Sequence, residues 1–197
     1  GDDERGGSGF GGRVRRVGGG LQTQAVAAAG AEGAQRGERG RLVHVDHAVR
    51  DLEKGKRATA VVEEAAKTGG GSFSLIELDL ASLKSVRACA DKLNAAGEKF
   101  DVVIANAGVM ACPKSTTADG FETQFGTNHL GHMALTLGLM DLLARTGNAR
   151  VVALSSTGHK ISGIRWDDMH FRAAPYEKWQ AYGQSKTANA LFANALS

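Results

Sequence analysis

From Arg41 onward the apolar positions of this chain switch between two periods. Leu42, Val43, Val45 and Val49 predict a strand, and Leu52 to Lys67 predict a helix that Gly69-Gly70-Gly71 brings to a stop. Phe73, Leu75, Ile76 and Leu78 predict a second strand. Ser82 then caps a helix whose stripe is Leu83, Val86, Ala90 and Leu93. Val102–Ile104 is a short apolar run that ends in small residues, Asn106-Ala107-Gly108. Phe121 to Leu143 reads as one long, largely buried helix with Asn128 in its middle, where Asn has poor propensity. Val151–Leu154 is another buried strand, ending in Ser155-Ser156-Thr157-Gly158. Ala188, Leu191, Phe192, Ala195 and Leu196 carry the last helix. Strand–helix alternation of this kind predicts an α/β fold with a doubly wound parallel sheet and right-handed crossovers.

Composition changes the picture at the start of the chain. Residues 1–40 hold 13 of the 27 glycines and show no apolar period. They predict a Gly/Arg-rich segment that is poorly ordered or mis-translated from a shifted reading frame, ahead of a folded domain over 41–197. A length of 197 residues suits one domain with a sizeable core. The net charge of +3 makes no demand for nucleic acid or an anionic membrane. The Arg5–Arg13 cluster, with acidic Asp2, Asp3 and Glu4 beside it, reads as composition rather than as an RNA-binding tail. No stretch has the length of a membrane span and no signal-peptide pattern opens the chain. Cys89 and Cys112 have no paired spacing, so free thiols and a reducing, cytoplasmic location are expected. His129 and His132 lack a third ligand nearby, so no metal is expected.

The chemistry concentrates late in the chain. Tyr182 and Lys186 stand four residues apart and share a helix face. An ammonium beside a phenol favours the phenolate and makes it a usable proton donor and acceptor. Ser155 and Ser156 leave a strand at its carboxyl end, where ligands bind in open α/β sheets. A buried Asn128 must find hydrogen-bond partners, as structural glue or as part of a site.

Taken in order, Asn106-Ala107-Gly108, Thr127-Asn128-His129-Leu130-Gly131-His132, Ser155-Ser156 and Tyr182 with Lys186 resemble the short-chain dehydrogenase/reductase family, from about Ala48 to Ser197. The 26 residues from Ser156 to Tyr182, and the insert Trp166–Phe171, look most like its retinol-dehydrogenase- and protochlorophyllide-reductase-like branch. The resemblance implies a Rossmann-like NAD(P)-binding domain, incomplete at its C-terminal end. It implies hydride transfer between a nicotinamide and a small-molecule alcohol or carbonyl. Tyr182 would be the acid/base, and Lys186 would favour its phenolate and bind the nicotinamide ribose. Ser156 would hold the substrate oxygen, with Ser155 as the register alternative, and Asn128 would hold a water linking Lys186 to solvent. Cofactor contacts would come from Arg50, Asp79, Leu80, Asn106, Ala107, Gly108, Tyr182 and Lys186. A homo-oligomer is a further possibility that the family raises.

Two features depart from the family pattern. The dinucleotide-binding turn, Thr-Gly-x-x-x-Gly-x-Gly, should fall near residues 24–31, where the sequence reads Gln-Ala-Val-Ala-Ala-Ala-Gly-Ala. Gly7–Gly12 matches G-x-G-x-x-G in form but follows no strand. The chain also stops at Ser197, where family members continue, leaving a sheet edge open to aggregation. An alternative reading is therefore an inactive, truncated remnant. For the cofactor, Arg50 at a strand end favours NADP through a 2′-phosphate, and Asp46 is the acidic competitor that would favour NAD.

Overall fold

The computed structural model describes residues 26–30 and 44–197, the first of these as backbone only. The expectations for residues 1–40 otherwise lie outside the described residues, as do Leu42 and Val43. A five-stranded sheet is formed by β1 (Val26–Gly30), β2 (His44–Val49), β3 (Ser72–Glu77), β4 (Val102–Ala105) and β5 (Arg150–Ala153). Its order is β3-β2-β1-β4-β5, the doubly wound arrangement with a switch point beside β1.

Both outer pairs, β2–β3 and β4–β5, are parallel, as the strand–helix alternation predicts. The central strand departs from a fully parallel sheet: β1 runs antiparallel to β2 and to β4. The sequence supplies a reason. A parallel connection needs a crossover of a dozen or more residues, commonly a helix. The stretch from 31 to 43 carries Gly33, Gly37 and Gly40 and no apolar helical period. The register pairs Gly30 with His44 and Val26 with Ala105. The amino end of β1 therefore lies at the carboxyl ends of its neighbours.

The helices begin and end where the sequence provides caps. The Asp51 carboxylate accepts from Lys54 N–H at the start of α1 (Leu52–Thr68), and Gly69 closes it. The Ser82 hydroxyl accepts from Ser85 N–H at the start of α2 (Leu83–Ala96), which ends on Gly97 in the left-handed region at φ 68°. The predicted long helix is interrupted twice. It comprises α3 (Thr123–Phe125), a π-turn over Gly126–Leu130, α4 (Gly131–Gly138) and, past a break at Leu139, α5 (Met140–Thr146). The last helix, α6, spans Lys178–Leu196. No helix among the described residues is long and apolar enough to cross a membrane.

The core lies between the sheet and α2, α4 and α5. Leu78, Leu80, Val86, Phe100, Val103, Leu135, Leu139 and Leu142 are all essentially inaccessible to water. α4 approaches the end of β3 so closely that a Cβ on Gly131 would lie 2.4 Å from the Leu80 carbonyl oxygen. The obstacle is backbone and cannot swing aside. Gly131→Ala should therefore destabilise the chain by about 1–3 kcal/mol, although Ala is the better helix former. Urea unfolding checks this; an unchanged or higher midpoint would refute the packing argument.

Candidate active site

The carboxyl ends of β2, β3, β4 and β5 carry Arg50, Asp79, Asn106–Gly108 and Ser155–Ser156 to one edge of the sheet. Helix α6 passes beside this edge with Tyr182 and Lys186. The Lys186 ammonium lies 5.7 Å from the centre of the Tyr182 ring and donates to the Leu154 carbonyl at 3.2 Å. Burial pushes the Lys186 pKa below its ordinary value.

Gly158 fits under the phenol. A Cβ at Gly158 would stand 2.7 Å from Tyr182 Cε1 and 3.5 Å from Ser156 Oγ. Ring and hydroxyl thus share one face of this turn. Ser156 Oγ also accepts from Gly158 N–H at 3.1 Å, capping a 3-10 turn over Thr157–Lys160. Ser155 turns the other way and donates to the Lys186 carbonyl at 2.8 Å. Of the two serines, Ser156 is the one beside Tyr182.

Asn128 sits in the π-turn, fully buried. Its Oδ1 accepts from Val109 N–H at 2.7 Å, and its Nδ2 donates to the Val109 carbonyl at 2.9 Å and to Ser185 Oγ at 3.0 Å. Ser185 in turn donates to the Tyr182 carbonyl at 2.7 Å. One carboxamide thereby joins the β4 loop to α6. A Cβ on Gly108 would lie 2.9 Å from Asn128 Oδ1 and 3.7 Å from Lys186 Nζ. Both of these polar atoms therefore lie beside Gly108, which is itself exposed.

Four expected side chains therefore converge: Asn128, Ser156, Tyr182 and Lys186. The outer cofactor candidates behave differently from one another. Arg50 is exposed at the end of β2, and Asn106 is exposed at the end of β4. The Asp79 carboxylate accepts from Ala81 N–H at 2.9 Å, an Asx-type turn after β3. Ala107 and Leu80 belong to the core, so they meet this edge through backbone and not through exposed side chains. Asp46, the acidic competitor to Arg50, is buried partway along β2. It accepts from Ser74 Oγ and bonds His44. The expected glycine turn near 24–31 has strand β1 in its place.

His129 and His132 do not converge as ligands. His129 Nδ1 bonds Asn189 Oδ1 at 3.1 Å, and His132 Nδ1 donates to the Asn128 carbonyl at 3.0 Å. Among the described residues, ligand atoms of His44, Asp46 and Glu98 do lie within 4.8 Å of one another. That group is at the amino end of β2, opposite Arg50.

Several residues that sequence reasoning passed over hold the site's periphery. Gln184, two residues after Tyr182, accepts from Arg165 N–H at 2.8 Å and donates to the Met169 carbonyl at 2.9 Å. It ties the Trp166–Phe171 insert to α6. Gln124 accepts from Ala111 N–H and donates to Tyr176 Oη and the Lys178 carbonyl, each at 2.8 Å. Buried Glu122 accepts from Gln124 and Phe125 N–H and from Tyr176 Oη. The only signal for these residues in the sequence was polar side chains on otherwise apolar helix faces.

Known proteins resemble this chain over most of its length. Residues 41–168 match the family model described as short chain dehydrogenase. The chain is 44% identical over 159 residues to retinol dehydrogenase 12 of Mus musculus, covering 81% of this chain and 49% of that protein. It is 44% identical over 150 residues to retinol dehydrogenase 13 of Homo sapiens, covering 76% and 45%. The chain thus spans about half the length of the curated relatives it matches. Among solved structures, a protein from Mycobacterium paratuberculosis shares 45% identity at TM-score 0.64, covering 77% of this chain and 51% of that one. The RhlG/NADP complex of Pseudomonas aeruginosa shares 25% identity at TM-score 0.54, covering 77% and 55%.

The buried histidines make the site's stability pH-dependent. Burial, the largest cause, holds His132 down at about 4 against its ordinary 6.5, and burial also lowers His129. Between about pH 4 and 6.5 the unfolded chain binds more protons than the folded one, so stability must rise with pH across that window. For His132 the whole span corresponds to about 3 kcal/mol. Unfolding free energies measured at pH 4.5 and 7 should differ in that direction. Equal values, or an imidazole NMR titration of His132 near 6.5, would contradict it.

Proposed function

The chain belongs to the short-chain dehydrogenase/reductase family, and on that premise we propose that it interconverts an alcohol and a carbonyl by hydride transfer with a bound nicotinamide cofactor, NADP in preference to NAD. The observation that carries this reading is the convergence of Tyr182, Lys186, Ser156 and Asn128 at the carboxyl edge of the sheet. The cofactor, when bound, supplies or accepts the hydride. Everything else falls to the chain's own side chains.

Tyr182 is the acid/base. In reduction its hydroxyl gives a proton to the oxygen that becomes the alcohol; in oxidation it takes that proton back. The Lys186 ammonium, 5.7 Å from the ring, stabilises the phenolate left behind. Ser156, on the same face as the ring, donates to the substrate oxygen and fixes its approach. Among the described residues Lys186 makes one side-chain hydrogen bond, with Leu154, so two of its three N–H groups are left for a ribose beside Gly108. Both hydrogens of the Asn128 amide are spent within the protein. The acceptor left for a water beside Lys186 is the second lone pair of Asn128 Oδ1.

Exposed Arg50 supports NADP, since a guanidinium at the end of β2 suits a 2′-phosphate. The burial of Asp46 removes the carboxylate that would have favoured NAD. Exposed Met110, Ile161 and Trp166 lie in the segments that follow β4 and β5, and exposed Trp179 lies in the first turn of α6. With relatives named retinol dehydrogenase, they support a bulky apolar substrate. Cys89 and Cys112 are both free thiols, which supports a reducing, cytoplasmic setting.

One observation favours a second reading. Strand β1 occupies the expected glycine turn and runs against its neighbours, which suits a remnant without a competent pyrophosphate site. Thermal unfolding with NADPH separates the two. A hundred- to thousandfold excess over the dissociation constant should add roughly 3–4 kcal/mol, and no shift favours the remnant.

Two substitutions test the enzyme reading directly. Tyr182→Phe should abolish turnover while leaving NADPH binding largely intact; substantial residual turnover removes Tyr182 from its role. Arg50→Ala should weaken NADPH binding roughly ten- to hundredfold and leave NADH unchanged. An equal loss for both cofactors would reassign Arg50 to the fold.

A further inference from the structure

A buried carboxamide outside the expected set reaches two of the groups that hold the site together. Asn189 lies three residues after Lys186 on α6 and is 3% exposed. Its Nδ2 donates to the Asn128 carbonyl at 3.0 Å and to the Leu154 carbonyl at 3.0 Å. Asn128 lies in the π-turn, where the Gly131 N–H bonds the Gly126 carbonyl five residues back instead of four. His132 Nδ1 and Asn189 Nδ2 satisfy the Asn128 carbonyl from the side. The second carbonyl, that of Leu154, is the same oxygen on which Lys186 rests. Leu154 is itself pinned to β4, its N–H donating to Ala105 at 3.2 Å.

The amide cannot turn over. Its nitrogen faces two oxygens that only accept, and its oxygen faces His129 Nδ1, which must be the protonated ring nitrogen. A hydrophobic residue here would remove one of the two side-chain donors that each of these carbonyls has. We propose that Asn189 is a positioning residue of the active site: one amide nitrogen binds the Asn128 and Leu154 carbonyls together, and so sets the spacing of the Asn128 carboxamide and the Lys186 ammonium beside Gly108. Its meaning for turnover rests on the function proposed above. Its geometry does not.

The test reads Lys186 without cofactor or turnover. The whole chain is labelled with ¹³Cε-lysine and titrated by NMR, with the Lys186 signal assigned by its loss in Lys186→Arg. In Asn189→Leu the Leu154 carbonyl stays but loses the amide that fixes it between α6 and the π-turn, so the ammonium is freer to turn toward solvent and Lys186 should titrate about one pH unit or more higher than in the unsubstituted chain. Asn189→Gln keeps an amide and should move it by less than half as much. Asn189→Asp is nearly isosteric and provides the second arm. The Asn189 nitrogen and Lys186 Nζ both bond one oxygen, at 3.0 and 3.2 Å, so a carboxylate there is within about 6 Å of the ammonium. It should raise the titration by about 1–3 units. A Lys186 titration that stays put in the variants that fold overturns the proposal. So does a failure of both Asn189→Leu and Asn189→Asp to fold, which would give Asn189 to the fold alone. Retained turnover in Tyr182→Phe, by contrast, would sink the proposed function and leave this result standing.

Discussion

The site depends on one buried carboxamide. Asn128 holds both backbone groups of Val109 and the hydroxyl of Ser185, so the loop after β4 and the helix carrying Tyr182 cannot move independently. Each of these polar groups is buried, and leaving one unpaired would cost about 1–3 kcal/mol. The arrangement demands a backbone concession, which is the π-turn over Gly126–Leu130. It also demands a residue without a side chain at Gly108, since a Cβ there would press on Asn128 Oδ1. Gly158 answers the same need beneath the Tyr182 ring. Close packing, rather than loop flexibility, brings the phenol, the ammonium and the hydroxyl to one place.

The sheet beneath this clamp has two parts. Its outer pairs are parallel and present their carboxyl ends together, which is why residues from Arg50 to Ser156 reach a common edge. The strand at the switch point is reversed. In a doubly wound sheet that strand would deliver a glycine-rich turn and a helix N-terminus to a pyrophosphate. Here its amino end is at that edge instead. The half of the site proposed to handle protons is assembled from residues 106–189, and the half that would cradle phosphates is not visible among the described residues.

Much of this was legible in the residues. Apolar runs located β2 to β5, and side-chain oxygens at Asp51 and Ser82 marked helix starts because an orphan N–H needs an acceptor there. The spacing of Tyr182 and Lys186 gave a shared helix face directly. Other features were not legible. Apolar periodicity reports burial but not direction, so β1 could not be read as antiparallel. The run from Phe121 to Leu143 gave no sign of its interruptions, since a π-turn keeps nearly the same buried face. Leu80 was expected among the cofactor contacts; its side chain lies in the core, because the chain turns as soon as β3 ends. Ser156 was preferred to Ser155 in the sequence, and the backbone turns Ser155 to the Lys186 carbonyl while Ser156 stays beside the Tyr182 ring. Asn189, Gln184 and Gln124 were passed over because a polar residue in a helix announces a partner without naming it.

The central claim is that these four side chains surround a nicotinamide ring. The most direct measurement is an intermolecular NOE between the nicotinamide protons of bound NADP⁺ and the ring protons of Tyr182, in chain labelled only at tyrosine. The account predicts cross-peaks to Tyr182 and none to Tyr176, whose hydroxyl is engaged with Glu122 and Gln124. Saturating NADP⁺ that gives no Tyr182 contact, or that perturbs Tyr176 instead, would contradict it.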